Sequence, residues 1–144
     1  MRLAVRLLSA SAKLPTHAYA GDAGFDLHAD EPATLAPGQR ATIGTGVAVE
    51  LPLRHAGLVL PRSGLASRHG IALVNAPGLI DEGYRGEIRV ILLNTDTEST
   101  FEVAVGDRIA QLVVVRVETP DVAEVADVSD TERAERGFGS SGQD

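Results

Sequence analysis

The sequence contains no cysteine and no tryptophan. The first absence excludes disulfide frameworks, thiolate nucleophiles and cysteine-ligated zinc. Aromatic residues amount to only 3%, so aliphatic side chains have to fill the core. No run of about 18 apolar residues occurs, which excludes a membrane-spanning helix. The opening residues Met1-Arg2-Leu3-Ala4-Val5-Arg6-Leu7-Leu8 interrupt apolar positions with arginine. They lack the apolar stretch of a signal peptide, so a cytoplasmic protein is expected. Lysine is nearly missing as well: of 13 basic residues only Lys13 is lysine. Leu14 follows it, so there is no Walker A loop.

Positive charge is also in deficit. Twenty acidic residues against 13 basic ones leave a net charge of −7. That field repels a phosphate backbone at long range and argues against a nucleic-acid binder. A small anionic substrate is admitted where local cations outweigh it. Arginine suits that task because its planar fork grips phosphate; genomic codon bias would give the same preference. The four histidines, His17, His28, His55 and His69, stand at no metal-binding spacing and read as surface residues.

What is present fits one domain. The chain has 144 residues, 44% hydrophobic and 23% charged, the balance of a globular protein with a real core. Turn signals recur at Gly21-Asp22, Pro37-Gly38, Pro77-Gly78, Asp81-Glu82-Gly83 and Gly106-Asp107. Between them, residues 43–51, 57–60, 71–75, 86–94, 101–105 and 108–117 read as strands. A short helix is predicted from Ser63, ended by Gly70. Many short strands indicate a sandwich, jelly roll or barrel. Residues 118–132 are acidic and lose the strand pattern, and residues 133–144 read as a mobile polar tail.

Three segments look chemical. Gly137-Phe138-Gly139-Ser140-Ser141-Gly142 spells the dinucleotide fingerprint, but too few residues follow for the helix that motif needs. Its small residues and hydroxyls still suit an anion, and Phe138 has no core to enter; a disordered terminus is the plain alternative. Pro61-Arg62-Ser63-Gly64-Leu65 joins a strand to the helix, which fits either an anion site or an ordinary N-cap. Asn75 through Gly86 forms a long hairpin carrying Asp81 and Tyr84. It could present backbone groups to a planar ligand or be purely structural.

Together these segments resemble the trimeric deoxyuridine triphosphate nucleotidohydrolase (dUTPase) family, whose five motifs appear in order. They are Ala23-Gly24-Phe25-Asp26-Leu27-His28-Ala29, then Pro61-Arg62-Ser63-Gly64-Leu65-Ala66, then Asn75 to Asp81 with Tyr84-Arg85-Gly86. Gly106-Asp107-Arg108-Ile109-Ala110-Gln111 and Arg133 to Gly142 complete the set. The last departs from the usual Arg-Gly-x-Gly-Gly-Phe-Gly-Ser. Ala134 follows Arg133, and Arg136 replaces a glycine before Gly137. Alanine visits positive φ less readily than glycine, so this departure bears on tail closure.

The resemblance implies an all-β, distorted jelly roll with one short helix, assembled as a homotrimer with active sites at subunit interfaces. Residues 1–132 would form the jelly-roll domain, and residues 133–144 a flexible tail closing over bound nucleotide. The implied reaction is hydrolysis of dUTP to dUMP and pyrophosphate with Mg2+, which limits uracil in DNA and supplies dUMP for dTMP synthesis. Asp81 matches the general base. Arg62, Ser63, Gly64 and Gln111 match phosphate-binding positions, joined by Arg133, Ser140 and Ser141 from the tail. Asn75, Gly78, Leu79, Ile80 and Tyr84 would select uracil and deoxyribose, with Phe138 stacked on the base. Asp26 would meet the metal through a bound water. The partners implied are dUTP and two further copies of the chain, without nucleic acid or membrane.

Two rivals remain at this point. A dCTP deaminase shares the fold but needs a catalytic Glu and an Arg-Ser-Ser second motif; here Gly64 follows Arg62-Ser63. A non-catalytic nucleotide-binding trimer is opposed by Asp81 and favoured by Ala134 and Arg136.

Overall fold

The computed structural model describes residues 2–131 and 135. The tail positions Arg133, Ala134, Arg136, Phe138, Ser140 and Ser141 lie outside them. The regular structure of the described chain is almost entirely β. In order, the strands are β1 (Ala4–Leu7), β2 (Gly24–His28), β3 (Ala33–Leu35), β4 (Arg40–Gly44), β5 (Val47–Glu50) and β6 (His55–Leu60). After helix α1 (Ser63–His69) come β7 (Ile71–Leu73), β8 (Gly78–Ile80), β9 (Arg89–Asn94), β10 (Phe101–Val103) and β11 (Arg108–Arg116). No helix among the described residues is long and apolar enough to cross a membrane.

Four antiparallel sheets make up the jelly roll. The largest has the order β2-β11-β6-β8, and a second has β4-β9-β7; β1 pairs with β5, and β10 with β3. Leu27 and Leu112 from the first sheet share one buried cluster with Ile43, Val90 and Leu92 from the second. The fully buried apolar side chains are all aliphatic, as the scarcity of aromatics requires. Each strand contributes too little area to be stable alone, so stability comes from closing this shared core.

The predicted helix is present and ends as expected. Gly70 adopts φ 62°, and its N–H bonds the carbonyl of Ala66. Three strand expectations are corrected. Residues 43–51 are two strands, because the chain turns at Thr45-Gly46, where Gly46 has φ 63°. Thr45 stabilises that turn from within the core, its buried hydroxyl donating to the carbonyl of Ile88 at 2.7 Å. Residues 75–86 do join two paired strands, β7 and β9, as expected, but they are more than a hairpin loop: β8 lies within them and pairs with β6. The alternation at 101–105 breaks after Val103, where a turn closes from Ala104 to Asp107.

One irregularity sets up the site. In the pairing of β11 with β2, Arg108 faces His28 but Ala110 faces Leu27, so Ile109 is an extra residue, a β-bulge. Ile109 and Ala110 are therefore both buried. In a regular strand Arg108 and Gln111, three residues apart, would point to opposite faces. The bulge puts them on the same face.

Candidate active site

Asp26 on β2 stands at the centre of the first cluster. Arg62 Nε lies 3.4 Å from its Oδ1, and Arg108 Nη1 lies 3.2 Å from its Oδ2. The Asp26 side chain is only 14% exposed. Its two oxygens thus fix the direction of two guanidiniums, one from the N-cap of α1 and one from β11. Arg62 is held further by donating Nη1 to the Arg108 carbonyl at 3.2 Å. Gln111 is opposite Asp26 in the sheet, and its Nε2 donates to the Pro61 carbonyl at 2.9 Å. Gly24 makes room for it, since a Cβ there would sit 2.6 Å from Gln111 Oε1.

These groups line a cavity of about 440 Å³ together with Ser63 and Gly64. The N-cap of α1 is Arg62, without a side-chain cap hydrogen bond. Ser63 is therefore the first helical residue, and the N-cap explanation for its presence fails. Its hydroxyl is left for another partner, at the edge of a polar cavity. Asp22 also lines the cavity, so two arginines meet two carboxylates. The lining carries no surplus positive charge of its own.

His28 follows two residues after Asp26. It is half-buried rather than on the surface, and its Nδ1 is buried without a hydrogen-bond partner. Burial lowers its pKa below the ordinary value, as do the positive charges of Lys13, Arg108 and Arg62, against the pull of Asp26.

The second cluster surrounds β8. Asn75, Gly78, Leu79, Ile80, Asp81 and Tyr84 all line one cavity of about 260 Å³. β8 is the edge of its sheet, paired on one side only by β6. Its other side presents backbone donors and acceptors. Gly78 keeps that edge open, for a Cβ would stand 3.3 Å from both Asn75 Nδ2 and Val59 Cβ. Tyr84 is pinned by its hydroxyl, which donates to the Glu87 carbonyl at 2.9 Å. Its ring lies against Gly86, where any side chain would collide with it. Asp81 is exposed at the head of a tight turn, its carbonyl accepting the Tyr84 N–H at 3.0 Å.

All the expected binding residues within the described chain therefore fall into two cavities, with base-type chemistry in one and phosphate-type chemistry in the other. One chain does not bring the cavities together. Gly57 faces Ile80 across β6 and β8, which places Asp81 near the start of β6, level with Ala56, while Arg62 follows its end. Along the extended chain that is roughly 20 Å. The sequence alone does not single out Arg108, because the bulge is what turns it toward Gln111. Glu87 and Arg89 line the second cavity too, and their alternation with buried Ile88 and Val90 was the available signal.

Comparison with known proteins points the same way. A family model described as dUTPase matches residues 10–142. The deoxyuridine 5'-triphosphate nucleotidohydrolase of Corynebacterium glutamicum is 54% identical over 130 residues, 90% of this chain and 87% of that protein. The protein of the same name from Thermobifida fusca is 52% identical over 142 residues, covering 99% and 79%. Among solved structures, the Staphylococcus bacteriophage 80alpha dUTPase with dUpNHpp superposes with a TM-score of 0.90 at 33% identity, covering 98% of each chain. A mutant dUTPase from phage phi11 of S. aureus, described as revealing the coordination of a structural Mg(II) ion, gives 0.84 at 30% identity, covering 90% and 100%.

Proposed function

The chain belongs to the dUTPase family, and from that premise we propose how its residues carry out the family's reaction. It is a hydrolase that converts dUTP and water to dUMP and pyrophosphate. Water attacks the α-phosphorus in line with the departing pyrophosphate. Asp81 orients that water and takes its proton, a task suited to an exposed carboxylate at the head of a fixed turn. Arg62, Arg108, Ser63, the Gly64 amide and Gln111 hold the phosphate chain and meet the charge that develops on its oxygens. Arg133, Ser140 and Ser141 add contacts from the tail.

Base and sugar are read at β8. Its open edge, from Gly78 through Leu79 to Ile80, pairs with uracil, and Asn75 braces it. The 5-methyl of thymine has no room there, and cytosine places a donor where an acceptor is required. Tyr84 packs on deoxyribose and excludes a 2′-hydroxyl, while Phe138 stacks on the base.

Mg2+ fits as a companion of the substrate. No group of three or more His, Cys, Asp or Glu among the described residues could cage a metal. The phosphate cavity instead balances its arginines with Asp22 and Asp26, so a triphosphate entering it needs further positive charge. Asp26 would meet the cation through water, as Mg2+ usually allows. When bound, the cation neutralises phosphate charge and so eases departure of pyrophosphate.

The observation that carries this reading is the sorting of the motif residues into two complementary cavities. Their separation of roughly 20 Å along the extended chain is the reason for proposing a homotrimer whose sites combine Asp81 of one subunit with Arg62 of another. We place the enzyme in the cytoplasm. The test is pyrophosphate release from dUTP, dTTP, dCTP and UTP with Mg2+, with ammonia measured alongside. Release from dUTP alone is expected. Ammonia from dCTP, or dUTP binding without release, would overturn the assignment in favour of a deaminase or a binding module.

A further inference from the structure

Arg54 is the one described non-glycine residue with positive φ, at 61°. It occupies the third position of a turn closed by the His55 N–H and the Pro52 carbonyl, a place that favours glycine. An arginine is held there by three contacts. Its N–H donates to Glu82 Oε2 at 2.6 Å. Its carbonyl accepts the Val117 N–H at 2.9 Å. Its guanidinium pairs with Glu118. Glu82 is the neighbour of Asp81 inside the tight turn that Tyr84 closes. The turn at Arg54 therefore connects the Asp81 turn with the chain as it leaves β11.

We propose that the Arg54 backbone amide is a positioning group for Asp81, acting through the Glu82 carboxylate. This inference rests on Asp81 being the general base. The exposed Asp81 turn is attached to the sheet through β8 on one side only, and the Glu82 carboxylate fastens it at a second point. A charge-assisted hydrogen bond to a backbone amide is short and directional, which suits it to fixing a turn. The amide meets Glu82 with Arg54 in the left-handed conformation, and we tie the contact to that conformation. Loss of the contact lets the carboxylate of Asp81 drift from the water it orients while the uracil edge of β8 stays in place. The expected signature is a loss in kcat with little change in KM.

The experiment compares Glu82→Ala, Glu82→Gln, Arg54→Val and Arg54→Gly by dUTP kinetics, with thermal melts and trimer mass checked for each. Valine resists positive φ and turns the amide away; glycine adopts it freely and keeps the amide without the guanidinium. Glu82→Ala and Arg54→Val are expected to lower kcat about tenfold with KM within about twofold, the scale of a small misplacement. Glu82→Gln keeps an acceptor and Arg54→Gly keeps the amide, so both recover most of the loss. The double variant with Glu82→Ala and Arg54→Val should be no slower than Glu82→Ala alone. Unchanged kcat in Glu82→Ala, or a loss in Arg54→Gly as large as in Arg54→Val, overturns the proposal. Should Arg54→Val fail to fold, the Glu82 pair decides. Asp81→Asn is run in parallel: full turnover in that variant refutes the base assignment itself, independently of Arg54.

Discussion

Arg108 on β11 reaches Asp26 on the neighbouring β2, its Nη1 donating to Oδ2 at 3.2 Å, and the bulge at Ile109 turns it to that face. The same carboxylate holds Arg62 at 3.4 Å. Asp26 thus sets two guanidiniums side by side before any substrate arrives. Such preorganisation lowers the cost of ordering them on a phosphate chain. Arg108→Ala should raise KM for dUTP by about tenfold or more, the worth of a charge-assisted hydrogen bond, while the melting temperature changes little. Steady-state kinetics with a thermal melt checks both parts, and an unaltered KM would remove Arg108 from the phosphate site.

Tyr84 offers a test of sugar selection. Its hydroxyl is held by the Glu87 carbonyl at 2.9 Å, so the ring has one fixed position. Tyr84→Phe frees the ring without changing its shape. The ratio of kcat/KM for dUTP over UTP should fall about tenfold, the scale of one neutral hydrogen bond. Parallel pyrophosphate assays on the two nucleotides measure it.

His28 makes stability depend on pH. Burial, with Lys13, Arg108 and Arg62, lowers its pKa below the ordinary 6.5. The unfolded chain therefore binds the extra proton first. Its contribution is complete above the ordinary histidine range, and falls as pH drops through about 6.5 toward the folded value. His28→Asn should flatten that slope. Urea unfolding at pH 7.5 and 5.5, at fixed protein concentration, reveals it as a smaller difference between the two midpoints.

The core holds one polar side chain on which several loops depend. Asn94 is fully buried; its Nδ2 donates to the Leu35 and Ser99 carbonyls, both at 2.9 Å. Its Oδ1 accepts the Asp96 N–H at 3.0 Å. Asn94→Ala leaves the Leu35 carbonyl buried and unpaired and removes two part-buried hydrogen bonds, at a cost of about 2–4 kcal/mol. Denaturant titration should show a lower midpoint with an unchanged slope.

These particulars divide what the sequence carries from what it does not. The helix from Ser63 to Gly70 and the aliphatic core follow from local signals that survive folding, and most of the residues lining the two cavities follow from the family resemblance. The division of residues 43–51 does not, because the turn at Gly46 is braced by a contact from Thr45 to the distant Ile88 carbonyl. Arg108 was hidden for a similar reason: its face is decided by register against β2. β8 does not stand out from the hairpin loop in the sequence, because its partner is β6, outside the segment. Each miss concerns a pairing that local sequence does not encode.

The central claim is that Asp81 and the Arg62–Arg108 cluster act on one dUTP from different subunits. The direct test mixes two variants, Asp81→Asn and Arg62→Ala with Arg108→Ala, each inactive alone, and allows their subunits to exchange. Some mixed trimers then pair an intact Asp81 turn with an intact phosphate cluster. Pyrophosphate release should return to about a quarter of the wild-type level, the fraction of interfaces expected from random assembly of a cyclic trimer. Mixed trimers that form, verified by mass, and release no pyrophosphate would contradict the shared site.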